Sequence, residues 1–124
     1  MIVAAWLVVG AVGAPVYAGG DSGVDALSGP TGGYLGGMLL AAVACGRLMD
    51  LPRWRGWVAM LGVCALGHVM VLGVGWARLA QMIGAGEAWS SGVEPFLVGA
   101  AVKTVAAVVL IKLAERLLLA LRAA

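Results

Sequence analysis

The chain has 124 residues, of which 63% are hydrophobic and 11% charged, with a net charge of +2 and a mean hydropathy of +1.04. Soluble domains carry about 25% charged residues, and a chain this small buries only roughly two-thirds of its unfolded surface, so a water-soluble globule is excluded and lipid must cover much of the apolar surface. The small net charge, with no run of basic residues, also excludes binding to nucleic acid through phosphate contacts.

A helix needs about 20 mostly apolar residues to cross a bilayer. Four stretches qualify: residues about 1–18, 34–49, 57–79 and 95–121. They predict an all-α membrane bundle forming one transmembrane domain, with connections at 19–33, 50–56 and 80–94. In the first stretch, Val16-Tyr17-Ala18 before a Gly pair loosely resembles a signal-peptide cleavage site. No basic segment precedes it, and Gly10, Gly13 and Pro15 interrupt it, so it reads as a span.

The first connection is rich in Gly and in short polar side chains, which permit tight turns. It is long for a simple linker, and long loops often carry function. Asp21, Ser28, Thr31 and Tyr34 are its candidate hydrogen-bonding groups for a small polar ligand. The second span opens on Gly32, Gly33, Gly36 and Gly37, small residues that let membrane helices approach closely. The third holds His68, which reads as a packed neutral histidine or, less economically, a proton relay. Trp76, near its outer end, is a candidate wall of a ligand pocket, while Trp54, Trp57 and Trp89 fall at interfaces.

Lys103, about two turns into the fourth span, is the most informative residue. A lysine at membrane depth costs about 2.5–3.5 kcal/mol on insertion scales and usually marks a ligand or ion path. The competing reading is that it snorkels to the interface.

Arg47, Arg53 and Arg55 flank the second connection, and Lys112, Arg116 and Arg122 lie toward the C-terminal end. The other connections hold Asp21, Asp25, Glu87 and Glu94, with Arg78 near them. The positive-inside rule then places both termini in the cytoplasm. Cys45 and Cys64 form no C-x-x-C pair, and nothing calls for a metal or cofactor. No P-loop, Ser-His-Asp order, zinc-protease motif or intramembrane carboxylate pair is present, so neither an ATPase nor an intramembrane enzyme is expected.

Gly13-Ala-Pro-Val-Tyr-Ala-Gly-Gly20 followed by Gly29-Pro-Thr-Gly-Gly-Tyr-Leu35 closely resembles the BioY family, substrate-binding membrane subunits of energy-coupling-factor biotin transporters. Leu72-Gly-Val-Gly-Trp76, Pro95-Phe-Leu-Val-Gly99 and Lys103 fit the same family in order and spacing. The resemblance implies capture of biotin from the outside. It also implies partnership with a transmembrane coupling subunit and two cytoplasmic ATPases, in a plasma (inner) membrane. Carried over, Lys103 matches the family lysine, Asp21 falls where members often carry Asn, and Thr31 and Tyr34 lie in the turn beneath the pocket. Asp21 would accept from biotin's ring N–H groups and Lys103 would donate to a ligand oxygen.

Three departures stand against the family pattern. Members usually have six spans, and this sequence begins near the third, without the first helix that docks on the coupling subunit. Val98 and Ala100 stand where P-F-x-P-G-D would place Pro and Asp. Asp21 for Asn exchanges a group that also donates for one that, ionised, only accepts. The alternative expectation is a truncated, non-transporting remnant or an assembly subunit. Homo-oligomerisation would replace missing packing surface. A small multidrug-type or ion-conducting bundle would want a carboxylate in the middle of a span, and none is there.

Overall fold

A computed structural model describes residues 1–123. Among them the secondary structure is helical, without a strand: α1 (Ile2–Ala11), α2 (Gly23–Ser28), α3 (Gly32–Asp50), α4 (Trp57–Ile83), α5 (Ala85–Gly92) and α6 (Glu94–Ala123), with 3-10 turns at Ala18–Gly20 and Pro52–Trp54. Helices α3, α4 and α6 are long and apolar enough to cross a membrane. At about 1.5 Å per residue their lengths are about 28, 40 and 45 Å, against about 30 Å of hydrocarbon. The chain is a multi-pass membrane protein.

The first stretch is not one helix through residue 18. Helix α1 has 10 residues, about 15 Å or half a bilayer core. Gly13 at φ 109° takes the backbone out of the helical region, and Pro15 lacks an N–H to continue the ladder. The chain then doubles back. Trp6 Nε1 donates to the Val16 carbonyl at 3.2 Å, and the Tyr17 hydroxyl donates to the Leu7 carbonyl. The Trp6 and Tyr17 rings meet edge to face at 5.3 Å. Tyr17 lies buried over Gly10, where a Cβ would stand 2.2 Å from its ring. High hydropathy hid this break, because a helix folded back on itself is as apolar as a spanning one.

Helix α4 is the centre of the bundle. It packs along α3 on one face, α6 on another and α5 at its end, while α6 packs against α4 and α5 among the helices of the described residues. The α3–α4 seam is close because Gly33, Gly37 and Ala41 recur at four-residue spacing along one face of α3 and are buried there. A Cβ on Gly37 would lie 2.9 Å from Val71 Cα, and one on Gly33 would lie 2.5 Å from Arg78 Cβ. Cys45, one step further along the ridge, donates its thiol to the Val63 carbonyl at 3.3 Å.

The α4–α6 seam is held by different chemistry. His68 Nδ1 lies 3.0 Å from Thr104 Oγ1, and 3.0 Å from the Cys64 carbonyl one turn back. At the far end, Lys112 Nζ donates to the Arg55 carbonyl at 2.6 Å and pairs with Glu115 at 2.8 Å. These bonds make α4 and α6 antiparallel. Between them Gly84, at φ 91°, turns the chain from α4 into α5, in a backbone region essentially reserved for glycine, which costs other residues about 1–3 kcal/mol. Helix α6 starts on Glu94 and Pro95, an acid favoured by the helix dipole and a proline whose missing N–H has no partner to lose there.

Candidate functional site

One end of the bundle gathers the Gly-rich connection, the start of α3, the end of α4, all of α5 and the start of α6. Two long-range bonds tie these together. Arg78 of α4 donates through Nη2 to the Ser28 carbonyl at 2.5 Å, holding α2 against α4. The Tyr34 hydroxyl donates to the Gly92 carbonyl at 2.7 Å, bridging α3 to α5.

The Gly29-Pro-Thr-Gly-Gly-Tyr34 turn is made of such fittings. The Gly29 N–H closes α2 on the Asp25 carbonyl at 2.9 Å. Thr31 Oγ1 donates to the Ala26 carbonyl at 3.2 Å. A Cβ on Gly32 would overlap the Leu27 carbonyl oxygen at 1.8 Å. The Tyr34 ring fills the space that side chains on Gly75 and Gly92 would need. Thr31 and Tyr34 therefore use their hydroxyl protons on backbone within the fold, and each keeps only oxygen lone pairs for a ligand.

Asp21 is exposed and its carboxylate meets no hydrogen-bond donor among the described residues. Its backbone carbonyl accepts from the Tyr17 N–H at 3.1 Å, which fixes where the side chain starts. Lys103 is also exposed and forms no ion pair or hydrogen bond among the described residues. It sits nine residues beyond Glu94, about 14 Å along α6, near the middle of a core about 30 Å thick. The structure does not pair Asp21 with Lys103.

The rotation of the helices says which way Lys103 faces. On α4, Gly67, Val71, Val74 and Arg78 contact α3. Val69, Leu72, Gly73 and Trp76 project from the opposite face and line a groove of about 210 Å³ together with Trp89, Val93 and Leu97. Lys103 leaves α6 about 120° around from Leu97, at about 100° per residue. Because α4 and α6 are antiparallel, that rotation carries Lys103 to the side where α3 lies. Lys103 thus leaves α6 on the α3 side, toward the end of the bundle that holds the Gly-rich connection. Trp76 borders the groove on the other side, and its indole donates to the Ala85 carbonyl at 3.1 Å. The structure brings the polar turn and the lysine to one side of the bundle and leaves Trp76 on the other.

Two supporting residues were not among the candidate contacts. Arg78 positions the α2 end of the loop, and its signal was its place as the one cation among acidic connections. Thr104, buried next to Lys103, fixes the rotation of α6 through His68, and a lone threonine in an apolar run gave no signal.

The fold defines a multi-pass membrane protein whose last long helix carries an exposed lysine, Lys103, without an ion pair or hydrogen bond among the described residues. The BioY family model matches residues 1–120, and the chain belongs to the BioY family. It is 40% identical over 74 residues to a biotin transporter BioY of Thermotoga maritima, covering 60% of this chain and 44% of the relative. It is 36% identical over 110 residues to a probable biotin transporter BioY of Pyrococcus horikoshii, covering 89% and 62%. A probable biotin transporter BioY of Methanothermobacter thermautotrophicus is 33% identical over 116 residues, covering 85% and 73%. The chain thus spans between about two fifths and two thirds of the length of the first two relatives. No solved structure matches.

Proposed function

We propose that this chain takes part in biotin uptake as a membrane substrate-binding subunit, capturing biotin on the outer side and delivering it inward. Lys103 carries the reading: an ammonium held at mid-depth on the α3 side of α6, without an internal partner among the described residues. Such a group is costly facing lipid and is stabilised by a polar or anionic ligand. Biotin supplies a ureido carbonyl and a carboxylate, either of which accepts from an ammonium. Asp21, exposed in the loop above, accepts from ureido N–H groups, while the Thr31 and Tyr34 turn holds the loop in place. Relatives named biotin transporters support the substrate. The reading includes three crossings of a plasma membrane, by α3, α4 and α6, with the end of α6 in the cytoplasm, and transport driven by a transmembrane coupling subunit with two ATPases.

The test is uptake of labelled biotin by cells that neither make biotin nor carry their own transporter. The chain is supplied with and without a coupling module. Accumulation above vector background, abolished by excess unlabelled biotin, supports the reading, and background accumulation in both settings counts against it.

A second reading has its own observation. The α6 face bearing Ala101, Val102, Val105, Ala106, Val109 and Leu110 borders an open depression of about 680 Å³ and is covered by no helix among the described residues. That favours an assembly subunit or homo-oligomer in which another chain covers α6. Such a chain would bind no biotin alone.

A further inference from the structure

The end of the bundle opposite the Gly-rich loop collects most of the positive charge. Arg47 lies in the last turn of α3. Arg53 and Arg55 lie in and just after the 3-10 turn Pro52–Trp54, and Lys112, Arg116 and Arg122 follow along α6. The carboxylates at this end are Asp50 and Glu115, and Glu115 is already engaged by Lys112 at 2.8 Å.

These cations are gathered by backbone rather than by carboxylates. Lys112 Nζ donates to the Arg55 carbonyl at 2.6 Å and ties the α3–α4 turn to α6. Arg55 Nε donates to the Met49 carbonyl at 3.3 Å, which leaves its two terminal nitrogens free. The Arg53 guanidinium lies 5.8 Å from the centre of the Trp54 ring. Trp54 Nε1 is buried and has no hydrogen-bond partner, alone in this among the buried side-chain nitrogen and oxygen atoms of the described residues. Six cations against two carboxylates leave this end strongly positive, and an orphaned N–H costs about 1–3 kcal/mol, so the site is short of an anion with acceptor oxygens.

Its depth says which anion. Lys112 lies 18 residues beyond Glu94, about 27 Å along α6, so with Glu94 at one interface Lys112 reaches the other. Trp54 and Trp57 flank the same level, where indoles favour headgroups. We propose that the α3–α4 turn and the adjoining side of α6 bind the phosphate of an anionic phospholipid. Arg53, Arg55 and Arg116 supply forked donors that match phosphate oxygens. This inference does not depend on the biotin reading.

The experiment uses the full chain in nanodiscs of phosphatidylcholine, with and without phosphatidylglycerol, reading lipid retention by native mass spectrometry and the thermal midpoint. Phosphatidylglycerol is expected to be retained over phosphatidylcholine, to raise the midpoint, and to lose both effects at high salt. Each basic residue near a charged surface is worth about fivefold in binding, so Arg53→Gln with Arg55→Gln should weaken retention about thirtyfold. Arg53→Lys with Arg55→Lys keeps the charge and should retain most of the preference, which separates charge loss from misfolding. Equal retention of both lipids by the parent chain overturns the proposal. So does a preference that survives the Gln pair, or the same stabilisation by inorganic phosphate in detergent, which would mark a free-anion site. Loss of a protein partner in the Gln pair, with no lipid preference in the parent, would assign the surface to that partner instead.

Discussion

Gly37→Ala tests the packing that places every other element, because α3 carries the Gly-rich turn and α4 carries α5 and α6. A Cβ at Gly37 would stand 2.9 Å from Val71 Cα, 3.1 Å from the Val71 carbonyl oxygen and 3.2 Å from the Met70 carbonyl oxygen. All three are backbone atoms of α4 and cannot swing aside. Carbon atoms pack best at about 3.5–4.0 Å, so the helices must part by about 0.6 Å or more along their tightest stretch. Overpacking of this kind costs about 1–3 kcal/mol. The neighbouring Gly36 gives an internal control, since a Cβ there meets nothing within 4 Å. Both replacements gain the same helix propensity, about 1 kcal/mol, so their difference isolates the steric cost. Unfolding of the purified protein in mixed micelles, followed by helical circular dichroism, should find Gly37→Ala less stable than Gly36→Ala by about 1–3 kcal/mol. Equal stability would refute the claim that α3 and α4 meet backbone to backbone.

Tyr34→Phe removes the bond to the Gly92 carbonyl while keeping the ring between Gly75 and Gly92; it should cost about 0.5–1.5 kcal/mol in the same unfolding assay and speed hydrogen exchange in α5. Thr104→Val deletes the side-chain bond to His68 at nearly constant volume. The expected loss is about 0.6 kcal/mol, the average for such bonds between membrane helices, with weaker ligand binding as Lys103 rotates. Gly10→Ala places a methyl group on the Tyr17 ring; the displaced ring should leave Trp6, seen as a change in tryptophan fluorescence, whereas Gly62→Ala, which meets nothing within 4 Å, should leave the spectrum unchanged.

The long helices were legible because each combines unbroken apolar length with clear breakers: Pro52 after α3, Gly84 after α4, Glu94 and Pro95 opening α6. The first element was not, although its breakers were visible. Gly13 and Pro15 sit in a run whose hydropathy is the same whether it spans or folds back, and only the Tyr17 ring on Gly10 distinguishes the two. Lys103 was legible from its cost alone, since an ammonium in an apolar run needs a reason at any rotation of the helix. The facing of Trp76 was not, because an indole near an interface reads alike on either side of its helix, and which side meets α3 is decided by Gly33 and Gly37 on another element. Thr31 and Tyr34 illustrate the same limit. Which way a short polar group in a Gly-rich loop sends its proton is not written in the sequence, and here both hydroxyls donate to backbone oxygens, of Ala26 and Gly92.

Equilibrium binding of labelled biotin to the purified chain, beside Lys103→Ala and Arg122→Ala, tests the central claim most directly. The parent and Arg122→Ala should bind saturably and alike. Loss of one charge-assisted hydrogen bond, about 1.5–3 kcal/mol, should weaken Lys103→Ala about tenfold to a hundredfold. Saturable binding that is unchanged in Lys103→Ala would place the ligand elsewhere. No binding by folded, monodisperse protein would contradict the binding-subunit reading and leave the uncovered face of α6 as the better guide to what this chain does.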